Sequence, residues 1–151
     1  MFNDDVVDTL NDLIETSKNT ELGFNECAKR AQSSELRSVF NQHATEAHTN
    51  ASELQALVAR LGGKPEDSGT TAGAMHRGWT AFKNAITGHS DLTLLEECER
   101  GEDAALASYR KALKEENLPG PVLDVIQRQM QNVQRTHDQI KSMRDAAKIG
   151  S

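Results

Sequence analysis

Glu21, His43, Glu102 and His137 are the side chains of this sequence best placed to do chemistry. Each falls inside an apolar stripe when the chain is stepped as a helix at about 100° per residue. Glu21 returns to within about 20° of Leu10. His43 sits between Phe40 and Ala47, Glu102 midway between Leu95 and Tyr109, and His137 between Val133 and Ile140. A charge buried on such a stripe costs several kcal/mol unless it is paired, so each residue needs a partner. Antiparallel pairing sets Glu21 level with Glu46 and about one turn from His43, and brings Glu102 and His137 within about one turn. Two carboxylates and two imidazoles at one depth suit a transition metal ion. With Glu46 and Glu99 swung in from the stripe shoulders, the set would suit two. Iron, manganese and zinc are the ions such donors accept. The same residues also suit a metal-free layer of mutual hydrogen bonds with a water or two.

A full di-iron centre needs a Glu on each of two helices and Glu-x-x-His on the other two. This chain reads Gln134-Arg135-Thr136-His137 in one place and the reversed His43-Ala44-Thr45-Glu46 in another. A carboxylate bridge and oxygen activation therefore lack part of their ligand set, and no catalytic residue is assigned. Nor does the sequence hold a Gly-rich phosphate loop, a nucleophile elbow or HExxH.

The elements that must position these residues are helices. Ala, Leu, Glu, Gln, Lys and Arg dominate between the breaks, with a three-to-four apolar period throughout. The expected helices run over about Asp4 to Ala31, Glu35 to Leu61, Asp91 to Glu116 and Val122 to Lys148. Ser33-Ser34 can cap the second, Gly62-Gly63 supplies the positive-φ positions that stop it, and Ser90 or Asp91 can cap the third. Pro119-Gly120-Pro121 makes a stop and restart. Between them a section over about 64–90 carries a short amphipathic helix near 72–87, with Met75, Trp79, Phe82 and Ile86 on one face. Trp79 and Phe82 read as anchors holding it to the bundle, and His76 and His89 as surface histidines. Two antiparallel hairpins joined by one long crossover make a ferritin-like four-helix bundle, all-α and a single domain over 1–151.

Composition narrows the partners. The chain has 151 residues, large enough to fold without a disulfide or metal staple, and a formal charge of −6. With no basic block and only 4% aromatic residues, a nucleic-acid surface is not expected. No apolar run approaches a membrane span and the acidic start does not open a secretory signal, so the expected setting is cytoplasmic. Cys98 reads as an inert core thiol and Cys27, near the stripe edge, as only a weak candidate for redox chemistry.

Several stretches also carry a resemblance: Gly23 to Ala28, Glu53 to Leu57, Leu61-Gly62-Gly63, Ala72 to Trp79, Glu97 to Ala105 and His137 to Lys141. Together they resemble a bacterial family of ferritin-like four-helix bundles described as a domain of unknown function. The Glu-Cys-Glu-Arg-Gly-Glu-Asp run from Glu97 is the most specific of them. The resemblance implies a cytoplasmic bundle without a settled activity, and makes Glu99, Glu102 and His137 positions of the family pattern. Two functions are in view. One is a metal-ion or small-molecule binder linked to stress protection; the other is a metal-free structural or interaction module acting as a homodimer or through the crossover helix.

Overall fold

The computed structural model describes residues 2–65, 80–86, 88 and 90–150. Four long helices carry the chain: α1 (Phe2–Arg30), α2 (Ser34–Arg60), α3 (Asp91–Leu113) and α4 (Gly120–Gly150). Residues 80–86 form a further helical segment, and no strand occurs among the described residues. Short connections fold α1 against α2 and α3 against α4, and the two hairpins meet mainly through α1 and α3.

Local chemistry sets the ends. Ser33 caps α2, its hydroxyl accepting from Leu36 N–H at 3.2 Å. Gly62 takes φ +78° after Leu61. The N–H groups of Gly62 and Gly63 then donate to Ala59 and Val58, which closes a Schellman turn. Gly63 itself does not take a positive φ, contrary to expectation. It is small because a Cβ there would sit 2.7 Å from Val7 Cγ2 on α1. Ser90 caps α3 while Asp91 goes elsewhere: its two carboxylate oxygens accept from Gln32 and Ser33 N–H at 2.9 and 3.0 Å, across the α1–α2 turn. Arg37 covers the other side of that turn by donating to the Ala31 and Gln32 carbonyls. α3 stops at Leu113, short of the expected Glu116, and Asn117 takes a left-handed φ of 66° before Pro119.

These contacts fix the direction of the crossover. Gly63 lies against the start of α1 and Asp91 against its end, so residues 64–90 connect opposite ends of the first hairpin. Phe82 packs on the core and Ile86 is fully buried. The expected anchor Trp79, with Met75, His76 and His89, lies outside the described residues.

The core comes in two parts. One gathers Leu10, Leu13, Ile14, Leu54, Val58, Leu106, Tyr109 and Ile126. The other gathers Phe24, Cys27, Phe40, Ile86, Leu94, Cys98 and Ile140. Buried polar residues stand between them along the chain: Ser17 between Ile14 and Phe24, Glu102 between Cys98 and Leu106, Thr136 between Val133 and Ile140. A polar belt therefore interrupts the hydrophobic interior at mid-height.

Candidate functional site

Glu102 is the centre of that belt. Its side chain is 2% exposed and its Oε2 has no hydrogen-bond partner among the described residues. Burial, reinforced by the charges of Glu46 and Asp103, pushes its pKa up to about 8, so the carboxyl is neutral at pH 7. Two spaces open onto it. On the inner side lies a void of about 20 Å³ shared with His43, Glu46, Asn50, Asn132 and Thr136, roomy enough for one water. On the outer side is a cleft of about 460 Å³ between α1 and α3. Phe24, Phe82 and Ala105 give this cleft apolar walls, and Glu15, Glu97 and Glu102 its acidic groups. No Lys, Arg or His is among its described lining residues. Phe82 packs over Gly23 on α1, close enough that a Cβ there would touch the ring at an ordinary van der Waals distance of 3.5 Å.

The sequence-derived site residues fall into three groups. His43, Glu46 and Glu102 line the inner void together. His43 is buried, with Nδ1 2.8 Å from Glu46 Oε1, Nε2 2.8 Å from Gln139 Oε1, and its ring 5.4 Å from that of Phe24. Both of its nitrogens are engaged. Glu99 and His137 meet at the α3–α4 face instead: His137 Nε2 is 2.7 Å from Asp103 Oδ1 and 3.9 Å from Glu99 Oε2, and Arg144 pairs with Glu99. Glu21 stands apart, its carboxylate 3.1 Å from Nδ1 of the exposed His48 on α2.

Two placements differ from the stripe reading. Glu21 shares a heptad row with the buried Ile14 and Ala28, yet it is only half-buried because its carboxylate reaches His48. Thr136 and His137 straddle the α4 stripe about 100° apart, and it is Thr136 that is buried. Its hydroxyl lies 3.5 Å from His43 Nδ1, while His137 stays at the margin. Among the described residues no three or more His, Cys, Asp or Glu side chains gather as a metal ion would need.

Stripe reading also passes over Gln129, which is fully buried. It accepts from Tyr109 O–H at 2.7 Å and donates to Glu53 at 2.8 Å and to the Asn50 carbonyl at 3.2 Å. Arg128 holds Glu53 from outside. Burial pushes the Tyr109 pKa up to about 12, so its phenol is a permanent donor to this network. A helical-wheel signal exists for it, because Gln129 lies between Ile126 and Val133. Cys27 is corrected as well: it is fully buried rather than at a stripe edge, and its Sγ is 3.3 Å from Cys98 Sγ.

A family model described as a domain of unknown function, DUF2383, matches residues 5–115. The chain belongs to the DUF2383 family. No curated protein matches it. The matched span holds every described lining residue of the α1–α3 cleft, whereas His137, Gln139 and the rest of α4 lie beyond it. Among the described residues, no DUF2383 helix of this chain is long and apolar enough to cross a membrane.

Proposed function

We propose that this DUF2383 chain is a ferritin-like four-helix bundle that binds a small organic molecule in the α1–α3 cleft, with the Glu102 carboxyl meeting the ligand's polar end. The ferritin-like reading draws support from two hairpins joined by one connection between opposite ends of the bundle. The observation that carries the binding reading is Glu102: its Oε2 has no hydrogen-bond partner among the described residues, and its side chain lines a cleft of about 460 Å³. A buried polar atom without a partner costs about 1–3 kcal/mol, and a group from outside the chain is one way to recover that cost. The volume falls within the ~300–1,000 Å³ of ordinary small-molecule sites.

The lining selects the ligand's chemistry. Apolar walls and acidic groups, without a basic residue among the described lining, favour a cationic or neutral hydrogen-bonding head on an apolar body. An aralkyl amine is the simplest such molecule. The metal reading of the Glu/His layer has less to stand on. His43 has both nitrogens engaged, and Arg144 occupies Glu99.

A thermal-shift series with phenethylamine, benzyl alcohol and phenylacetate tests the proposal. The amine and, more weakly, the alcohol should raise Tm, and the carboxylate should not. Glu102→Leu, which removes the hydrogen-bonding head group, should reduce the amine's shift and Ala104→Trp, which fills the cleft from its exposed side, should abolish it. Equal shifts with all three probes, or none, would remove the reading. Metal analysis of protein purified without chelator belongs in the same experiment. Stoichiometric iron, manganese or zinc, lost in Glu102→Ala/His137→Ala, would restore the metal reading in its place.

A further inference from the structure

The interior of this bundle holds a second reactive feature, independent of any ligand in the cleft. Cys27 on α1 and Cys98 on α3 are 71 residues apart in sequence, both buried and both free, with their sulfurs 3.3 Å apart. A disulfide needs about 2.05 Å between sulfurs, so closure requires an approach of about 1.3 Å. The two thiols differ in access. Cys27 is 0% exposed, whereas Cys98 is 5% exposed and lines the α1–α3 cleft. A small reagent in the cleft therefore meets Cys98 first, with Cys27 directly behind it.

We infer that Cys27 and Cys98 form a reversible dithiol–disulfide site, oxidised by a small hydroperoxide that enters through the α1–α3 cleft. The chemistry takes two steps. Cys98 sulfur attacks the distal oxygen of the hydroperoxide; an S–O bond forms, the O–O bond breaks, and the alcohol (water, for hydrogen peroxide) leaves with the thiol proton. Cys27 sulfur then attacks Cys98 sulfur; the S–S bond forms, the S–O bond breaks, and the hydroxyl departs as water with the Cys27 proton. Two thiols lose two electrons and one hydroperoxide gains them. An external thiol returns the pair to the reduced state by exchange.

The surroundings set the pace. Burial, with Cys27, Glu102 and Glu97 adding to it, pushes the Cys98 thiol well above its ordinary range. Little thiolate is present at neutral pH, so the pair rests reduced and responds to sustained rather than fleeting peroxide. Once formed, the bond would tie α1 to α3 beside the cleft.

Hydrogen peroxide is the probe, applied to the native full chain, followed by denaturation, thiol alkylation and peptide mapping. Both thiols should disappear together into one intrachain disulfide between the Cys27 and Cys98 peptides. Dithiothreitol should restore them, and Tm should rise by about 5–10 °C in the oxidised form. Cys27→Ser should leave a dimedone-reactive sulfenic acid at Cys98, and Cys98→Ser should leave Cys27 unreacted. The mapping of the unmodified chain stands even if a serine variant fails to fold. Retention of both thiols under peroxide that oxidises the urea-unfolded chain would overturn the inference, as would disulfides only between chains.

Discussion

Glu46 on α2 and Glu102 on α3 face the same void of about 20 Å³, and of the two only Glu102 leaves a buried oxygen without a hydrogen-bond partner among the described residues. Glu46 has His43 Nδ1 at 2.8 Å, while Glu102 has no partner on Oε2 among the described residues and, with its pKa pushed up to about 8, holds its proton at neutral pH. The neutral acid is the less costly form because a second carboxylate charge in this space would add to the desolvation that Glu102 already bears.

That arrangement makes stability depend on pH in an unusual direction. The folded-state pKa of Glu102 is raised from 4.5 to about 8, so across this window the native chain holds a proton that the unfolded chain has released. Stability therefore falls as pH rises from about 4.5 to about 8. Glu102→Gln, neutral throughout, should lack this slope. Urea titrations at intervals across the window should show the variant gaining on the parent by a few kcal/mol at the alkaline end, on the order of 1.4 kcal/mol for each pH interval of one within the window. A constant difference would place the titration elsewhere.

Gln129 and Tyr109 offer a cleaner measure of a buried hydrogen bond. Gln129→Leu removes the acceptor of the Tyr109 hydroxyl, leaving Ser17 as its hydrogen-bonding neighbour, and should cost about 1–3 kcal/mol. Tyr109→Phe removes the other partner, and the double variant should cost about 1 kcal/mol less than the sum of the singles. Additive costs would mean that the bond contributes no coupling.

The two glycines after α2 should respond for different reasons. Gly62→Ala strains a residue at φ +78° in open space and should cost about 1 kcal/mol. Gly63→Ala drives a methyl into Val7 and Val58 and should cost about 1–3 kcal/mol. Pairing Gly63→Ala with Val7→Ala should recover part of the loss, whereas Gly62→Ala should gain nothing from it. Equilibrium denaturation measures all four variants.

Asp91 joins the two hairpins by hydrogen bonds alone. Asp91→Ala removes two charge-assisted acceptors from the α1–α2 turn and should cost about 1–2 kcal/mol. Asp91→Asn, with one acceptor oxygen left, should fall between. Native-state hydrogen exchange should report faster exchange at Gln32 and Ser33 in both variants, and unchanged rates there would contradict the assignment.

Much of this architecture is legible in one sequence. Ser33, Gly62, Ser90 and the Pro119–Pro121 break mark helix ends by local chemistry, and local chemistry is what a sequence records. His43 and Glu102 are also accessible to it, because both lie near the middle of their stripes and are buried. Residues at a stripe's edge are not. Thr136 and His137 flank the same line, and packing against His43 rather than periodicity decides which is buried. Glu21 shows a second limit, since a half-buried position lets a long side chain find a surface partner such as His48. The α1–α3 cleft and the Cys27–Cys98 contact depend on the relative rotation of helices distant in sequence, which no single stripe encodes.

Synthesis order gives the Asp91 contact a further consequence. A ribosome delivers α1, α2 and the turn between them well before it delivers residue 91, so the newborn hairpin has water on the Gln32 and Ser33 amides. The finished turn waits on the crossover to bring Asp91 back to it. The first half of the chain is thus completed by the second, and a nascent chain halted within the crossover would carry an unfastened hairpin.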